Sequence, residues 1–220
     1  MLIDLITTRG EQLLTEGSTP WQVYPRPQLK RSSYVNLNGS WEFTVSPDGQ
    51  LPQVYDRTIL VPFCPESKLS CIGKHYDEGS LLCYNRIFRL EDGFNKGRVI
   101  LHIGAADQRA DVFLNGKPVG FHKGGYEAFS FDITHLLQEE NNLQICCFDD
   151  LTDRTYPYGK QVLPEKRGGM WYTPVSGIWQ SVWLESVPES YIQKLHIENR
   201  GHSVKISVEP ALCGTVTVAE

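Results

Sequence analysis

Long apolar runs are missing from this sequence of 220 residues. No run approaches the ~20 residues that a membrane-spanning helix needs, so a helical membrane protein is excluded. The opening Met1-Leu2-Ile3 meets Asp4 at once, without the basic start and apolar stretch of a secretory signal peptide. These absences predict a cytoplasmic protein that has no membrane partner.

A surplus of positive charge is also missing, since 21 Lys and Arg face 26 Asp and Glu and give a net charge of −5. Binding to a phosphate backbone needs a Lys and Arg surplus, so we predict no nucleic-acid partner. The sequence also lacks the G-x-S-x-G elbow, the H-E-x-x-H pair and a phosphate-binding glycine loop. We therefore predict no cofactor and no metal site in this chain.

Paired cysteine motifs are absent as well. The six cysteines are Cys64, Cys71, Cys83, Cys146, Cys147 and Cys213. None forms a C-x-x-C pair, which argues against structural zinc. Their irregular spacing predicts small, reduced core residues rather than a disulfide framework.

The sequence is rich in turn-forming and aromatic residues, with 19 Gly, 13 Pro and 11% aromatics. Alternating apolar and polar residues predict a series of short strands. The predicted strands are Ser40–Val45, Arg57–Phe63, Leu81–Leu90, Val99–Ile103, the two arms of Ala110–Phe121, Ala128–Ile133, Leu143–Phe148 and Ile178–Glu185. The clearest signal is Asn115-Gly116, the preferred dipeptide of a type I′ hairpin turn.

These strands predict an all-β, jelly-roll sandwich over residues 20–187, because no helix is long enough for a βαβ crossover. Residues 1–19 form an N-terminal segment in which Asp4–Leu14 could hold a short helix. A proline-stiffened N-terminal arm follows, from Thr19 to Pro27, which Trp21 and Tyr24 could pin to a surface. Asp132–Leu137 predicts a single helical turn.

A second unit is predicted from residue 188 to 220. Tyr191–Glu198, Val204–Glu209 and Thr215–Val218 have strand patterns, and three strands do not close a sandwich. Because the pattern is still running at Glu220, we expect a fragment of a longer chain.

A long connection joins the strand ending at Phe148 to the strand beginning near Ile178. It is longer than a loop without a function usually is in a compact domain. It carries carboxylate, amide and cationic side chains together with aromatic rings. These residue types recognise sugars, because polar groups pair with hydroxyls and aromatic faces cover C–H patches. An Ω-loop whose aromatic residues plug the end of the sandwich explains the composition equally well.

Five ordered stretches resemble the amino-terminal domain of glycoside hydrolase family 2, the β-galactosidase, β-glucuronidase and β-mannosidase group. They are Pro25–Phe43, Val61–Ser67, Ala110–Thr134, Tyr158–Gln161 and Trp171–Glu185. The third stretch is the most specific, with Asn115-Gly116, His122 and Gly124-Gly125-Tyr126 in order.

The resemblance implies a galactose-binding-like jelly roll, then an immunoglobulin-like sandwich, then a catalytic barrel. The family is retaining and uses two barrel glutamates as acid/base and nucleophile. No catalytic residue is therefore expected in this chain, and the fragment alone should be inactive. The parent enzyme would hydrolyse O-glycosyl bonds of a terminal β-linked sugar in carbohydrate metabolism.

In the family this domain contacts the barrel and lends loop residues to the rim of the sugar pocket. The carried-over rim candidates are Asp150, Lys160, Gln161, Trp171 and Tyr172, with Asp149 and Arg167 as weaker candidates. Trp179 continues into a strand and is expected to be structural. The implied partners are a carbohydrate, the barrel of the same full-length chain and a second copy in a homo-oligomer.

Two other functions fit the same residues. The chain could be a stand-alone carbohydrate-binding module, since the sandwich pattern and the loop aromatics suffice for one. It could also be a purely structural domain that buttresses the barrel and a subunit interface.

Overall fold

Strands dominate the computed structural model, which describes residues 6–46, 49–153 and 155–212. Within these ranges there is one α-helix, α1 (Thr8–Glu16). The strands are β1 (Tyr34–Asn36), β2 (Gly39–Ser46), β3 (Arg57–Val61), β4 (Leu81–Phe88), β5 (Arg98–Ile103), β6 (Ala106–Asp107), β7 (Arg109–Leu114), β8 (Lys117–Lys123), β9 (Phe129–Asp132), β10 (Asn141–Phe148), β11 (Gly177–Ile178), β12 (Val182–Val187), β13 (Ile192–Asn199) and β14 (Val204–Pro210).

Two antiparallel sheets form the body of the fold. The larger sheet has the strand order β3-β2-β4-β10-β7-β8, and the smaller has the order β1-β12-β5-β9. Two short ladders pair β6 with β11 and β13 with β14. The predicted all-β sandwich is confirmed.

The core lies between the two sheets and is formed by the inward faces of their strands. Trp41, Phe43 and Tyr84 from the larger sheet and Leu101 and Leu184 from the smaller are at most 1% exposed. Successive residues point to opposite faces of a strand, so the alternation read from the sequence becomes a buried and a solvent-facing side.

The Asn115-Gly116 hairpin is confirmed, since both residues have the positive φ of a type I′ turn, 55° and 74°. The predicted helical turn is also present, at Thr134–Leu136. The N-terminal helix begins at Thr8, later than the predicted range, because the Thr7 hydroxyl caps it by accepting a hydrogen bond from the Gly10 amide. β1 and β6 had no clear pattern and were missed.

The N-terminal arm is held to the smaller sheet by Glu185, which is 1% exposed. The Tyr24 hydroxyl donates to this carboxylate, and Arg26 Nη2 lies 2.5 Å from Glu185 Oε2. The ring of Trp21, in contrast, is 65% exposed. The expected pin at Tyr24 is therefore present and the one at Trp21 is wrong, because the arm turns that ring outward.

One cysteine pair contradicts the expectation that all six are reduced. Cys83 on β4 and Cys146 on β10 are directly opposite in the ladder and are linked as a disulfide, with 4.2 Å between their Cα atoms. The two residues are 63 positions apart in sequence, and only the strand register brings them together. Cys64, Cys71 and Cys147 are unlinked, and Cys213 lies outside the described residues.

β13 and β14 form a hairpin after the sandwich, as predicted for Tyr191–Glu198 and Val204–Glu209. Arg31 reaches it from the N-terminal arm, with Nη2 at 2.5 Å from the Ile192 carbonyl oxygen. The strand predicted at Thr215–Val218 lies outside the described residues. Within the described ranges, no helix has the length and apolarity to cross a membrane.

The backbone at Gly177 lies very close to a side chain of the core. Its φ is 69°, and a Cβ there would collide with the hydroxyl of Tyr84, which is fully buried. We expect Gly177→Ala to lower the free energy of unfolding by about 1–3 kcal/mol more than Gly93→Ala, as overpacking does. Urea denaturation of both variants measures the difference.

Gly93→Ala is the matched control because Gly93 has a similar φ of 76° but nothing within 4 Å of an added Cβ. Both variants carry the same left-handed backbone strain. Equal losses of stability would contradict the close approach to Tyr84.

Candidate functional site

The long connection between β10 and β11, residues 149–176, folds back on itself at one end of the sandwich. The Val162 amide donates to the Tyr172 carbonyl at 3.1 Å, and the Tyr172 amide donates to the Lys160 carbonyl at 3.2 Å. At the tip, the Trp171 amide donates to the Gly168 carbonyl at 3.0 Å. This pairing brings together three sequence-predicted residues, Lys160, Trp171 and Tyr172.

Aromatic side chains are exposed along this folded loop. Trp171 is 45% exposed and Tyr172 is 51% exposed, and Tyr126 from the β8–β9 connection is 50% exposed. A Cβ on Gly159 would lie 2.9 Å from the Tyr126 hydroxyl and 3.9 Å from the Tyr172 hydroxyl. Both phenols therefore lie close to Gly159, whose small size leaves them room, and the exposed Lys160 is next in sequence.

Gln161 lies beneath these exposed aromatic side chains and is only 4% exposed. Its Nε2 donates to Asp107 Oδ2 at 3.2 Å and to the Tyr126 hydroxyl at 3.3 Å. Its Oε1 accepts from the Val175 amide at 2.6 Å. One buried amide thus ties both halves of the loop to the end of the sandwich, so Gln161 acts here as a positioning residue.

Asp150 begins the loop and uses its carboxylate locally. Oδ1 accepts from the Thr152 amide at 2.8 Å and from the Thr152 hydroxyl at 2.5 Å, an Asx turn that starts the connection. Arg167, one of the weaker candidates, is exposed at the tip and donates from Nη1 to the Thr173 hydroxyl at 3.3 Å. The structure therefore places Asp150 and Arg167 in contacts that shape the loop.

A polar cluster lies beneath the start and end of the loop. Glu66 Oε1 lies 3.1 Å from His75 Nδ1, and His75 Nε2 lies 3.0 Å from Glu78 Oε1. The hydrogen bond to Glu66 raises the pKa of His75. Glu66 Oε2 accepts from the Ser176 amide at 3.2 Å, and Glu78 accepts from the Leu151 amide. The linked Glu66, His75 and Glu78 side chains therefore bind both ends of the connection.

Asp149 belongs to the same cluster and is 7% exposed. Oδ2 accepts from the Ser176 hydroxyl at 2.9 Å, and Oδ1 is buried without a partner among the described residues. Burial, reinforced by the charge of Asp107, raises the pKa of Asp149 to about 7. Burial likewise raises the pKa of Asp107 to about 6.

Sequence reasoning missed Asp107 on β6 and also Glu66, His75 and Glu78, which all lie in the connection between β3 and β4. The available signal was Gly124-Gly125-Tyr126, since a Cβ on Gly125 would collide with the Asp107 carboxylate. Trp179 was predicted to be structural, and its Nε1 donates to the Gly125 carbonyl at 2.8 Å. Among the residues that the structure describes, no group of three His, Cys, Asp or Glu side chains is arranged to hold a metal ion.

The structure is a β-sandwich domain with a long, aromatic loop at one end. The family model "Glycosyl hydrolases family 2, sugar binding domain" matches residues 71–188, just over half of the chain. The chain belongs to this family, and the resemblance read from the five stretches is confirmed.

Curated relatives are similar over part of their length. A β-galactosidase of Thermoanaerobacter pseudethanolicus is 27% identical over 136 residues, which cover 60% of this chain and 17% of that protein. A β-galactosidase of Thermoanaerobacterium thermosulfurigenes is 23% identical over 172 residues, which cover 76% of this chain and 23% of that protein. The chain thus spans less than a quarter of the length of either relative.

Solved structures share the fold. A β-glucuronidase of Bacteroides uniformis superposes with a TM-score of 0.52 at 27% identity, over 73% of this chain and 18% of that one. A β-D-mannosidase of Dictyoglomus thermophilum superposes with a TM-score of 0.60 at 24% identity, over 80% of this chain and 26% of that one. The second likeness, at this identity, supports the fold alone.

The anchoring role of Gln161 predicts a local loss of order on substitution. Gln161→Leu removes three hydrogen bonds and leaves the Val175 amide and Asp107 without them, so opening of residues 158–175 should become easier by ~1–3 kcal/mol. Hydrogen exchange of the loop amides measures the opening. Gln180→Leu, at an exposed glutamine just after the loop, is the matched control.

If the loop amides exchange hydrogen as slowly in Gln161→Leu as in the control, the anchoring role of Gln161 is contradicted. Exchange in β4 and β10 reports whether the sandwich itself stays folded.

The raised pKa of Asp149 predicts that stability depends on pH. Because the folded chain holds this proton up to a pKa of about 7 and the unfolded chain only to ~3.9, the folded state binds more protons between these values. The Asp149 contribution is therefore complete below pH ~4 and is lost as pH rises toward 7. Urea denaturation of wild type and Asp149→Asn at pH 4.5, 6 and 7.5 should show a shallower decline in the variant.

Glu165→Gln, at an exposed carboxylate of the same loop, is the control for a change of charge alone. Parallel curves for wild type and Asp149→Asn would show that Asp149 does not take up this proton.

Proposed function

We propose that this chain is the amino-terminal, jelly-roll accessory domain of a retaining family 2 glycoside hydrolase of the β-galactosidase, β-glucuronidase and β-mannosidase group. The parent enzyme hydrolyses the O-glycosyl bond of a terminal β-linked sugar, and its two catalytic glutamates lie on a barrel that is not in this chain. Membership of the family supports the proposal. The names of the curated relatives, β-galactosidase and β-glucuronidase, support the reaction class.

The observation that carries the proposal is the exposed aromatic surface of the loop, with Lys160 beside it. An aromatic face can cover the C–H patch of a sugar ring, and an ammonium group donates hydrogen bonds to hydroxyl oxygens. Gln161 holds the backbone on both sides of these groups, so they are pre-positioned for a ligand. The proposed rim residues are Lys160, Trp171 and Tyr172, with Asp150 and Gln161 supporting them.

A structural role is the second candidate, because the side chains of Gln161 and Asp150 form their hydrogen bonds within the chain. In that case the exposed aromatic rings would be covered by the barrel rather than by a sugar. The two roles differ in what substitution changes: a rim residue alters kcat/KM, whereas a buttress alters stability and assembly.

Residues from 188 onward are proposed to begin a second, immunoglobulin-like β-sandwich. Ile197, Val204 and Ile206 on β13 and β14 are 48%, 60% and 55% exposed. A two-stranded ribbon with uncovered apolar side chains is marginal on its own, so further strands should cover it.

We also propose a cytoplasmic location and a homo-oligomeric parent enzyme, both from the sequence reasoning. The unlinked Cys64, Cys71 and Cys147 support the location, whereas the Cys83–Cys146 link is more common in oxidising compartments. Cell fractionation tests the location, and light scattering of the parent enzyme tests the oligomer.

In the enzyme that contains this chain, Trp171→Ala should lower kcat/KM by about three- to tenfold, because a stacked aromatic contributes ~0.5–1.5 kcal/mol to ligand contact. Lys160→Ala should act in the same direction. The assay is a panel of nitrophenyl β-galactoside, β-glucuronide and β-mannoside. Trp21→Ala is the matched control, since Trp21 is 65% exposed on the N-terminal arm.

If an enzyme with both barrel glutamates hydrolyses none of the panel, the glycosidase proposal fails. If the panel is hydrolysed and both loop variants keep wild-type kinetics, the loop has the structural role instead.

A further inference from the structure

A second polar site lies on the outer face of the larger sheet, the face turned away from the core. Glu42 on β2, Asn85 on β4 and Gln144 on β10 form one row across three neighbouring strands, because Glu42 is paired with Asn85 and Asn85 with Gln144. Their chain neighbours Phe43, Tyr84 and Ile145 point into the core. Alternation along each strand therefore sends all three polar side chains outward.

The segment 51–55 lies across this row and makes it a groove. The groove has a volume of about 590 Å³ and is lined by the polar row together with Leu51–Tyr55 and part of the Gly116 turn. A volume of ~300–1,000 Å³ is typical of sites that bind small molecules. The groove can therefore hold a ligand of the size of one or two sugar rings.

The polar side chains of the groove are pre-positioned by contacts with each other. Asn85 Nδ2 lies 2.5 Å from Glu42 Oε2, and Gln144 Nε2 donates to the Tyr55 hydroxyl at 2.9 Å. A carboxylate has about four acceptor positions, so Glu42 can still accept a hydrogen bond from a ligand. The Tyr55 hydroxyl, which accepts from Gln144, still has its own proton to donate.

Asn85 supplies an independent indication that this row is incomplete. The side chain is 95% buried, since its exposed fraction is 5%, and its Oδ1 has no hydrogen-bond partner among the described residues. A buried polar atom without a partner is costly, and native proteins keep few of them. This oxygen is out of reach of solvent, so it gains a donor only when the Asn85 side chain turns toward a ligand hydroxyl bound beside Glu42.

We propose that this groove, defined by Glu42, Asn85, Gln144 and Tyr55, is a binding site for a neutral saccharide. A carboxylate, two amides and a phenol offer both acceptors and donors to adjacent sugar hydroxyls. The Tyr55 ring, with Leu51 and Pro52 next to it, supplies the apolar surface that a sugar ring requires.

Charge favours a neutral ligand. Among the described residues that line the groove, Glu42 is the one that carries a formal charge. Burial, and to a smaller extent the charge of Glu42, raises the pKa of Tyr55. A uronate would place its carboxylate near Glu42 without a facing cation. The groove and the loop that carries Trp171 use different residues, so this site stands whether or not the proposed function of the loop is correct.

The test is two-dimensional ¹H–¹⁵N NMR of the 220-residue chain titrated with glucose, galactose, cellobiose and lactose, each to about 50 mM. We expect at least one of them to shift the side-chain amide signals of Asn85 and Gln144, with a Kd in the millimolar range. Glucuronate should shift them at least about tenfold more weakly. Glu42→Gln should weaken the binding by at least about tenfold.

Glu139→Gln, a change of the same type at a side chain that is 92% exposed, is the matched control and should bind like wild type. The affinity is read from the side-chain amide signals of Asn85 and Gln144 alone, which separates the groove from the loop. Gln144→Leu is a second groove variant, and thermal unfolding confirms that each variant is folded.

Three results would each overturn the proposal. They are an absence of shifts with all four neutral sugars, shifts confined to residues 158–173, and equal binding by wild type and Glu42→Gln. Tighter binding of glucuronate than of the neutral sugars would overturn the assignment of ligand class.

Discussion

The long connection between β10 and β11 depends on polar side chains buried beneath it, because most of its backbone hydrogen bonds join loop residues to one another. Gln161 reaches Asp107, Tyr126 and the Val175 amide, and so fixes the middle and the end of the loop at once. Without these contacts, the entropy of so long a segment would favour an open ensemble. The positions of the exposed rings of Trp171 and Tyr172 therefore depend on this buried amide.

The same arrangement concentrates acidic groups at one end of the sandwich. Glu66, Glu78, Asp107 and Asp149 all lie under the loop, and burial opposes the ionisation of the two aspartates, whose pKa values rise to about 6 and about 7. His75 lies between the two glutamates, and its hydrogen bond to Glu66 raises its pKa. The loop is thus held by groups that change protonation near neutral pH, which links its order to solution conditions.

Much of the fold could be predicted from local pattern. The alternation in Ser40–Val45 and the Asn115-Gly116 turn reflect backbone preferences that act over a few residues, and both are present. The short β1 and β6 were missed, since two or three residues carry too little pattern to detect. Two predictions were wrong: that Trp21 pins the arm and that all six cysteines are reduced. Both features depend on where distant segments of the chain meet.

The sequence by itself determined the all-β class, the strand order along the chain, the family and the stretch that carries Lys160, Trp171 and Tyr172. Those features depend on residue type and spacing over short distances. Only the tertiary structure decided that Gln161 is a buried anchor, that Asp107 and His75 support the loop, and that Glu42, Asn85 and Gln144 share one row. These depend on strand register and on burial, which join residues up to about a hundred positions apart and leave no local trace.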